Sequence, residues 1–144
     1  DPVPWAKLAA SVRSVEGALS TDRHRMMLTE FCVRGGFAVA TDTERLHLRP
    51  VDDLGSYGVP STMVAVPDTA EVFASPARWW WRDGDFEGTE HSYGGTYPNW
   101  ERVIPANADL LFTAESERLA DAVQKCLPVA RSNGNRIHFD MGEN

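Results

Sequence analysis

Phe37-Ala38-Val39-Ala40-Thr41-Asp42-Thr43-Glu44-Arg45-Leu46-His47-Leu48 is a β-type run. Phe37, Val39 and Thr41 alternate with Ala38, Ala40 and Asp42, and Leu46 and Leu48 resume after Glu44. A repeat of two puts alternate side chains on opposite faces of a sheet. Upstream, Met26 to Val33 is a second run of this kind, and Arg34-Gly35-Gly36 between the two predicts a hairpin. Earlier still, Trp5, Leu8, Val12, Val15 and Leu19 step by three and four. That is one stripe of an amphipathic helix, ended by Ser20-Thr21-Asp22.

Downstream, Pro50 to Ser61 holds Gly55, Gly58, Pro60 and Asp52-Asp53 and reads as a loop, followed by a short apolar strand from Thr62 to Val66. Asp68-Thr69-Ala70-Glu71 has the spacing of a helix start and predicts a brief helix over 68–75, stopped by Pro76. Arg78-Trp79-Trp80-Trp81-Arg82 is a strand, with Trp79 and Trp81 on one face and Arg78, Trp80 and Arg82 on the other. Asp83-Gly84 turns it into a return strand, Asp85 to Ser92, and Tyr93-Gly94-Gly95-Thr96 is a loop. After Pro105 the pattern restarts: a strand at Asp109 to Thr113, a helix at Glu115 to Leu127 closed by Pro128, and a strand at Asn135 to Met141.

The order predicts an α+β fold, with repeated β-α-β-β-β modules that are cut at both ends and helices on one face of antiparallel sheets. Residues 1–105 form one domain and 106–144 part of a second. The 144 residues are 42% hydrophobic and 24% charged, enough for a buried core. No window approaches the ~20 apolar residues of a membrane span. The opening Asp1-Pro2-Val3-Pro4-Trp5 has no signal-like run and reads as the start of a piece of something longer. A net charge of −7 argues against an all-over basic nucleic-acid binder but leaves room for a local basic face. Cys32 and Cys126 lie in apolar patterns outside any CxxC pair and are expected to be reduced core residues of a cytoplasmic protein.

Val39-Ala40-Thr41-Asp42-Thr43-Glu44-Arg45-Leu46 resembles the V-A-T-D-G-H-R-L segment in the middle domain of the bacterial DNA polymerase III β subunit, the replicative sliding clamp. Tyr97-Pro98-Asn99-Trp100-Glu101-Arg102-Val103-Ile104-Pro105 resembles the F-P-D-Y-x-R-V-[IL]-P segment that leads into the third domain of that family. The distance between the two stretches, Leu28 and the helix after Pro105 are similar too. The resemblance implies the DNA-clamp fold, in which three domains per chain and two chains per ring surround DNA with twelve helices. It also implies a non-enzymatic role without cofactor, and a pocket that takes short apolar peptides of polymerase or repair proteins. Carried over, that pocket would be lined by Leu28, Thr41, Arg45, Leu46, Pro98, Arg102 and Val103, an apolar floor with two arginines at the rim. Thr43 and Glu44 depart from the usual Gly-His. The DNA-facing residues would be Lys7, Arg13, Arg23, Arg25, Arg118 and Lys125, a sparse set that predicts weak, salt-sensitive duplex binding.

Other chemistry finds little footing. His24, His47, His91 and His138 are scattered, no Cys/His cluster has metal spacing, and no nucleophile or phosphate-loop motif occurs. Asp42 and Glu44 could converge, but a lone pair of this kind is usually plain surface charge. Arg45 and Arg102 could simply bridge to Asp42 or Glu101, and the Trp-rich strand, which could stack single-stranded bases, more often pairs a buried face with Arg–Trp stacking outside. The alternative functional class is a clamp-like sensor or oligomerisation part of a larger helix-turn-helix transcriptional regulator. A structural oligomer is also compatible, since unpaired sheet edges recruit other chains and so predict a homo-oligomer.

Overall fold

A computed structural model describes residues 1–52, 54–109, 112–132 and 136–140, which fall into two compact units, Asp1–Ile104 and Pro105–Asn144. In the first unit β1 (Pro2–Val3) leads into α1 (Trp5–Val15), and the helical stripe finishes in a 3-10 turn, Glu16–Ala18. A second 3-10 turn, Met26–Thr29, takes the first part of the expected strand and precedes β2 (Glu30–Arg34). The run quoted at the outset is two strands, β3 (Phe37–Thr41) and β4 (Leu46–Pro50), joined by a turn at 42–45. Then come β5 (Tyr57–Pro60), β6 (Glu71–Ala74), β7 (Arg78–Asp83) and β8 (Phe86–His91).

All strand pairs are antiparallel, and two four-stranded sheets result, ordered β1-β6-β7-β8 and β4-β3-β2-β5. The topology repeats itself. The leading strand of each half crosses to the other half's triplet, β1 onto β6 and β5 onto β2. Where the first half carries the eleven-residue α1, the second carries only the five-residue 3-10 turn Ser61–Ala65.

Four expectations change here. Residues 62–66 are not a strand, because Pro60 ends β5 and Val66 N–H closes onto the Met63 carbonyl (3.0 Å), which buries Met63. Residues 68–75 are not a helix. So short a segment cannot nucleate one, Asp68 is taken by Arg13 instead of capping, and Val72 and Ala74 face inward against Trp81 and Trp79 at a repeat of two. The loop expected over 50–61 contains β5, whose Gly58 is a matter of space: a Cβ there would stand 3.1 Å from Glu30 Oε2 and 3.2 Å from Ser92 Oγ. Pro60 is tolerated because β5 is an edge strand. The repeat also begins with β1, earlier than expected.

One core fills the space between α1 and the inner faces of both sheets. Trp5, Leu8, Ala9, Val12 and Val15 of α1 meet Phe31, Val33, Ala38, Ala40 and Val59 of one sheet and Val72, Ala74 and Trp79 of the other. The small Ala38 and Ala40 let the helix approach the sheet closely. Trp79 sits at the centre, 1% exposed, with its ring edge-on to Trp5 (6.4 Å) and Tyr57 (5.8 Å). Its indole N–H donates to the Gly58 carbonyl at 2.9 Å and so joins β7 to β5 across the sheets. Arg13 braces α1 from outside: it donates to the carbonyls of Val64 (2.9 Å) and Val66 (2.6 Å) and to Asp68.

The second unit is described chiefly by α2 (Ser116–Ser132), which runs through Pro128 rather than stopping there. The carbonyl that proline leaves without a donor belongs to Gln124, an exposed residue that water can serve. Cys126 on α2 is exposed and free, against the expectation of a core position. Cys32 is buried and free, with its thiol pushed up by burial. Of the strand expected at 109–113, residues 109, 112 and 113 show no strand and 110–111 lie outside the described residues; of that at 135–141, residues 136–140 show none and the two ends lie outside them. Among the described residues no helix is long and apolar enough to cross a membrane.

The β3–β4 turn is built from side chains. Thr41 Oγ1 donates to the Arg45 carbonyl (2.7 Å) and accepts from Thr43 N–H (3.1 Å). Asp42 Oδ1 accepts from the backbone N–H groups of Glu44 and Arg45, both at 3.0 Å, while Oδ2 accepts from Arg45 Nε at 2.9 Å. The Arg45 backbone N–H is the main influence holding the Asp42 carboxyl below the usual aspartate range, aided by Glu44 N–H and the Arg45 side chain. A lowered folded value means that this stabilisation is complete above the ordinary aspartate range and fades as pH falls through the folded value.

Two outcomes are expected. Trp79→Ala removes the central ring and its bond to Gly58 and should lower unfolding free energy by about 3–5 kcal/mol in urea titrations; a loss under about 1 kcal/mol would contradict the central role of this ring. In NMR titrations the Asp42 carboxyl signal should move at a lower pH than a free aspartate, and the Arg45 amide should follow with the same midpoint.

Candidate functional site

The far face of the β4-β3-β2-β5 sheet carries a separate hydrophobic cluster. Leu28, Cys32, Val39, Tyr97 and Trp100 are buried there, with Phe37, Leu46 and Leu48 packed against them. The residues that β3 turns away from α1 thus meet the chain that follows β8. A buried carboxylate steers that chain. Glu30, 2% exposed, accepts from Ser92 Oγ (3.1 Å) and Tyr93 N–H (2.9 Å), which fixes the end of β8 against β2. A buried polar group satisfied in this way holds its partners firmly in place. Further on, the 3-10 turn Trp100–Val103 is pinned to the sheet twice. Phe37 and Trp100 meet edge to face at 5.7 Å, and Arg34 donates to both carboxylate oxygens of Glu101, at 3.1 and 2.9 Å.

Between this turn and the β3–β4 turn lies an open cleft of about 410 Å³, lined by Leu28, Thr41, Arg45, Leu46, Pro98 and Val103 together with Thr43, Glu44, Asn99 and Trp100. Six of the seven residues proposed from the sequence therefore meet at one place, with Leu46 and Val103 on the same cleft. The seventh, Arg102, is exposed on the Trp100–Val103 turn and is not among the lining residues. Its neighbour Glu101 pairs with Arg34, not with Arg102. Arg45, as the plainer reading had it, bridges to Asp42.

The cleft is apolar on its floor and polar on one rim. Val103 is 67% exposed on the wall of the cleft. Trp100 keeps its indole N–H buried with no acceptor among the described residues. On the rim, Thr43 adopts φ 83°, a left-handed conformation that costs a β-branched residue about 1–3 kcal/mol. Thr41 Oγ1 and the Arg25 guanidinium, which donates to Thr43 Oγ1 at 2.9 Å, hold it there. Burial pushes the Tyr97 phenol beside the cleft far above its ordinary range. Trp100, Asn99, Thr43 and Glu44 were missed as lining residues, although all four lie within the two segments that carry the resemblance.

Five of the six basic residues have an acidic partner within their own unit. Lys7 stands 3.7 Å from Asp52, Arg13 is spent on its carbonyls and Asp68, and Arg25 serves the rim and lies 3.6 Å from Asp22. In the second unit Arg118 lies 3.9 Å from Glu115, which precedes α2, and Lys125 lies 2.6 Å from Asp121 on the helix. Among the described residues Arg23 alone of the six has no acidic partner. On the outer face of β7, Trp80 is already covered by Arg82 (5.0 Å) and Phe73 (5.3 Å), the stacked arrangement expected of a plain sheet surface.

No protein-family model matches the chain, and no curated protein matches it. Solved structures do. The chain superimposes on the DNA polymerase III subunit β of Pseudomonas aeruginosa with a TM-score of 0.71 at 21% identity, covering 89% of this chain and 40% of that one. For the β chain of Streptococcus pneumoniae the values are 0.72 and 21%, over 90% and 40%. For Caulobacter crescentus pol III β they are 0.69 and 23%, over 89% and 41%. The chain spans about 40% of the length of these relatives. The regulator alternative receives no support from these likenesses. With strands exchanged between two halves around one core, and at this level of identity, the chain has the fold of the bacterial DNA polymerase III β-subunit sliding clamps.

Proposed function

We propose that this chain is a non-enzymatic, sliding-clamp-like module of DNA replication or repair that captures short apolar peptides of polymerase or repair proteins in the cleft between the β3–β4 turn and the Trp100–Val103 turn. The observation that carries the reading is the convergence of Leu28, Leu46, Pro98, Trp100 and Val103 on one open cleft, from sequence segments up to 75 residues apart. A Leu or Phe side chain suits such a floor, and hydrogen-bonding groups at the rim suit a peptide backbone.

Duplex DNA has a minor part in this reading. Paired cations release few counterions, and unit 1 carries one α-helix where the clamp arrangement of twelve helices over six domains has two. Self-association fits the open edges at β4 and β8.

A fluorescently labelled pentapeptide with a Leu-Phe anchor should bind the chain in the micromolar-to-millimolar range. Leu46→Ala should weaken it about ten-fold by removing apolar floor, whereas Arg102→Ala should leave it nearly unchanged; no measurable binding, or binding indifferent to Leu46→Ala, rejects the reading. Sedimentation velocity should show a mass that rises with concentration, and a strictly monomeric profile would remove the oligomer from the proposal.

A further inference from the structure

Glu44 on the rim of the cleft has no cationic partner among the described residues, and we infer that the cleft selects apolar peptides bearing a lysine or arginine beside the hydrophobic anchor. This rests on the peptide-binding reading above and specifies the partner within it.

The charges around the mouth can be followed one by one. Asp42 is matched by Arg45, whose Nε lies 2.9 Å from Asp42 Oδ2. Arg25 is divided between Thr43 Oγ1 and Asp22. Glu44 lines the cleft and is exposed, and its carboxylate has no cationic partner among the described residues. The backbone fixes where the Glu44 side chain leaves the turn. Glu44 N–H is tied to Asp42 Oδ1, and the preceding Thr43 is held in its left-handed conformation by two hydrogen bonds. The turn that presents Glu44 is therefore preset, and ordering it on binding costs little. Of the two arginines on the turns that bound the cleft, Arg45 is committed to Asp42, and Arg102 is exposed but does not line the cleft. Beyond the mouth, the net charge of −7 adds a field of the same sign.

An ammonium or guanidinium held by an anchored peptide at this rim meets a carboxylate next to apolar walls, where a charge pair is screened less than in open water. A carboxylate at the same place meets repulsion. Rim charges of this kind change affinity modestly and specificity more.

The test uses three labelled pentapeptides that share a Leu-Phe anchor and differ only in the residue before it: lysine, glutamine or glutamate. Fluorescence anisotropy on the intact chain should rank them lysine over glutamine over glutamate, with about three- to ten-fold between the extremes at low salt and a narrower spread at high salt. Glu44→Gln should flatten the ranking and Glu44→Lys should invert it. Leu46→Ala should weaken all three alike and keep their order. If the three bind equally, or the ranking survives Glu44→Gln, the charge selection is wrong while the cleft remains a peptide site. If none binds, the peptide reading falls and the selection with it.

Discussion

The Trp79 indole is the contact on which the rest of the fold depends. Its N–H reaches the Gly58 carbonyl from the opposite sheet, and its ring fills the space between Trp5 and Tyr57. Two small sheets that exchange their leading strands could slide over one another if only apolar surface joined them. A directed hydrogen bond fixes their offset, because breaking it would leave the buried Trp79 donor without its acceptor. Once β5 is held in this way, β2 and β3 are held, and so is the far face on which the cleft lies.

The same sheet does two jobs through the alternation of β3. Ala38 and Ala40 face α1 and are small, so the helix can pack closely; Phe37, Val39 and Thr41 face outward and receive the chain after β8. Glu30 connects the two jobs. It belongs to β2, is buried like a core residue, and anchors Ser92 and Tyr93, so that Tyr97 and Trp100 arrive over the outward face.

That alternation was legible in the sequence, and with it the hairpin, α1, the two faces of the Trp-rich strand and six of the lining residues. What was not legible follows from tertiary competition. The Asp68-x-x-Glu71 spacing is a sound helix signal locally, but Asp68 is engaged by Arg13 and the residues after it gain more from pairing with β7. Gly58 and Pro60 look like loop residues because the spacing of a sequence does not reveal that a buried carboxylate lies 3.1 Å from a missing Cβ. Pro128 was read as a stop, yet an exposed helix can pass a proline. Arg102 was placed on the rim by the resemblance, whereas the pinning of Trp100 to Phe37 and of Glu101 to Arg34 accompanies a 3-10 segment whose Trp100 and Val103 line the cleft and whose Arg102 does not.

Among the described residues, eight of the fourteen basic side chains are paired with a neighbouring acid, and this has a consequence for how partners arrive. Cations locked into local dipoles project little positive potential, so within about a Debye length of the surface an approaching molecule meets a body of net negative charge. Encounter rates with cationic molecules should then fall as ionic strength rises, while the residence time of a molecule already seated on an apolar floor should change far less. Kinetics would thus separate the two contributions that an equilibrium constant merges: long-range charge governs arrival, and short-range packing governs departure.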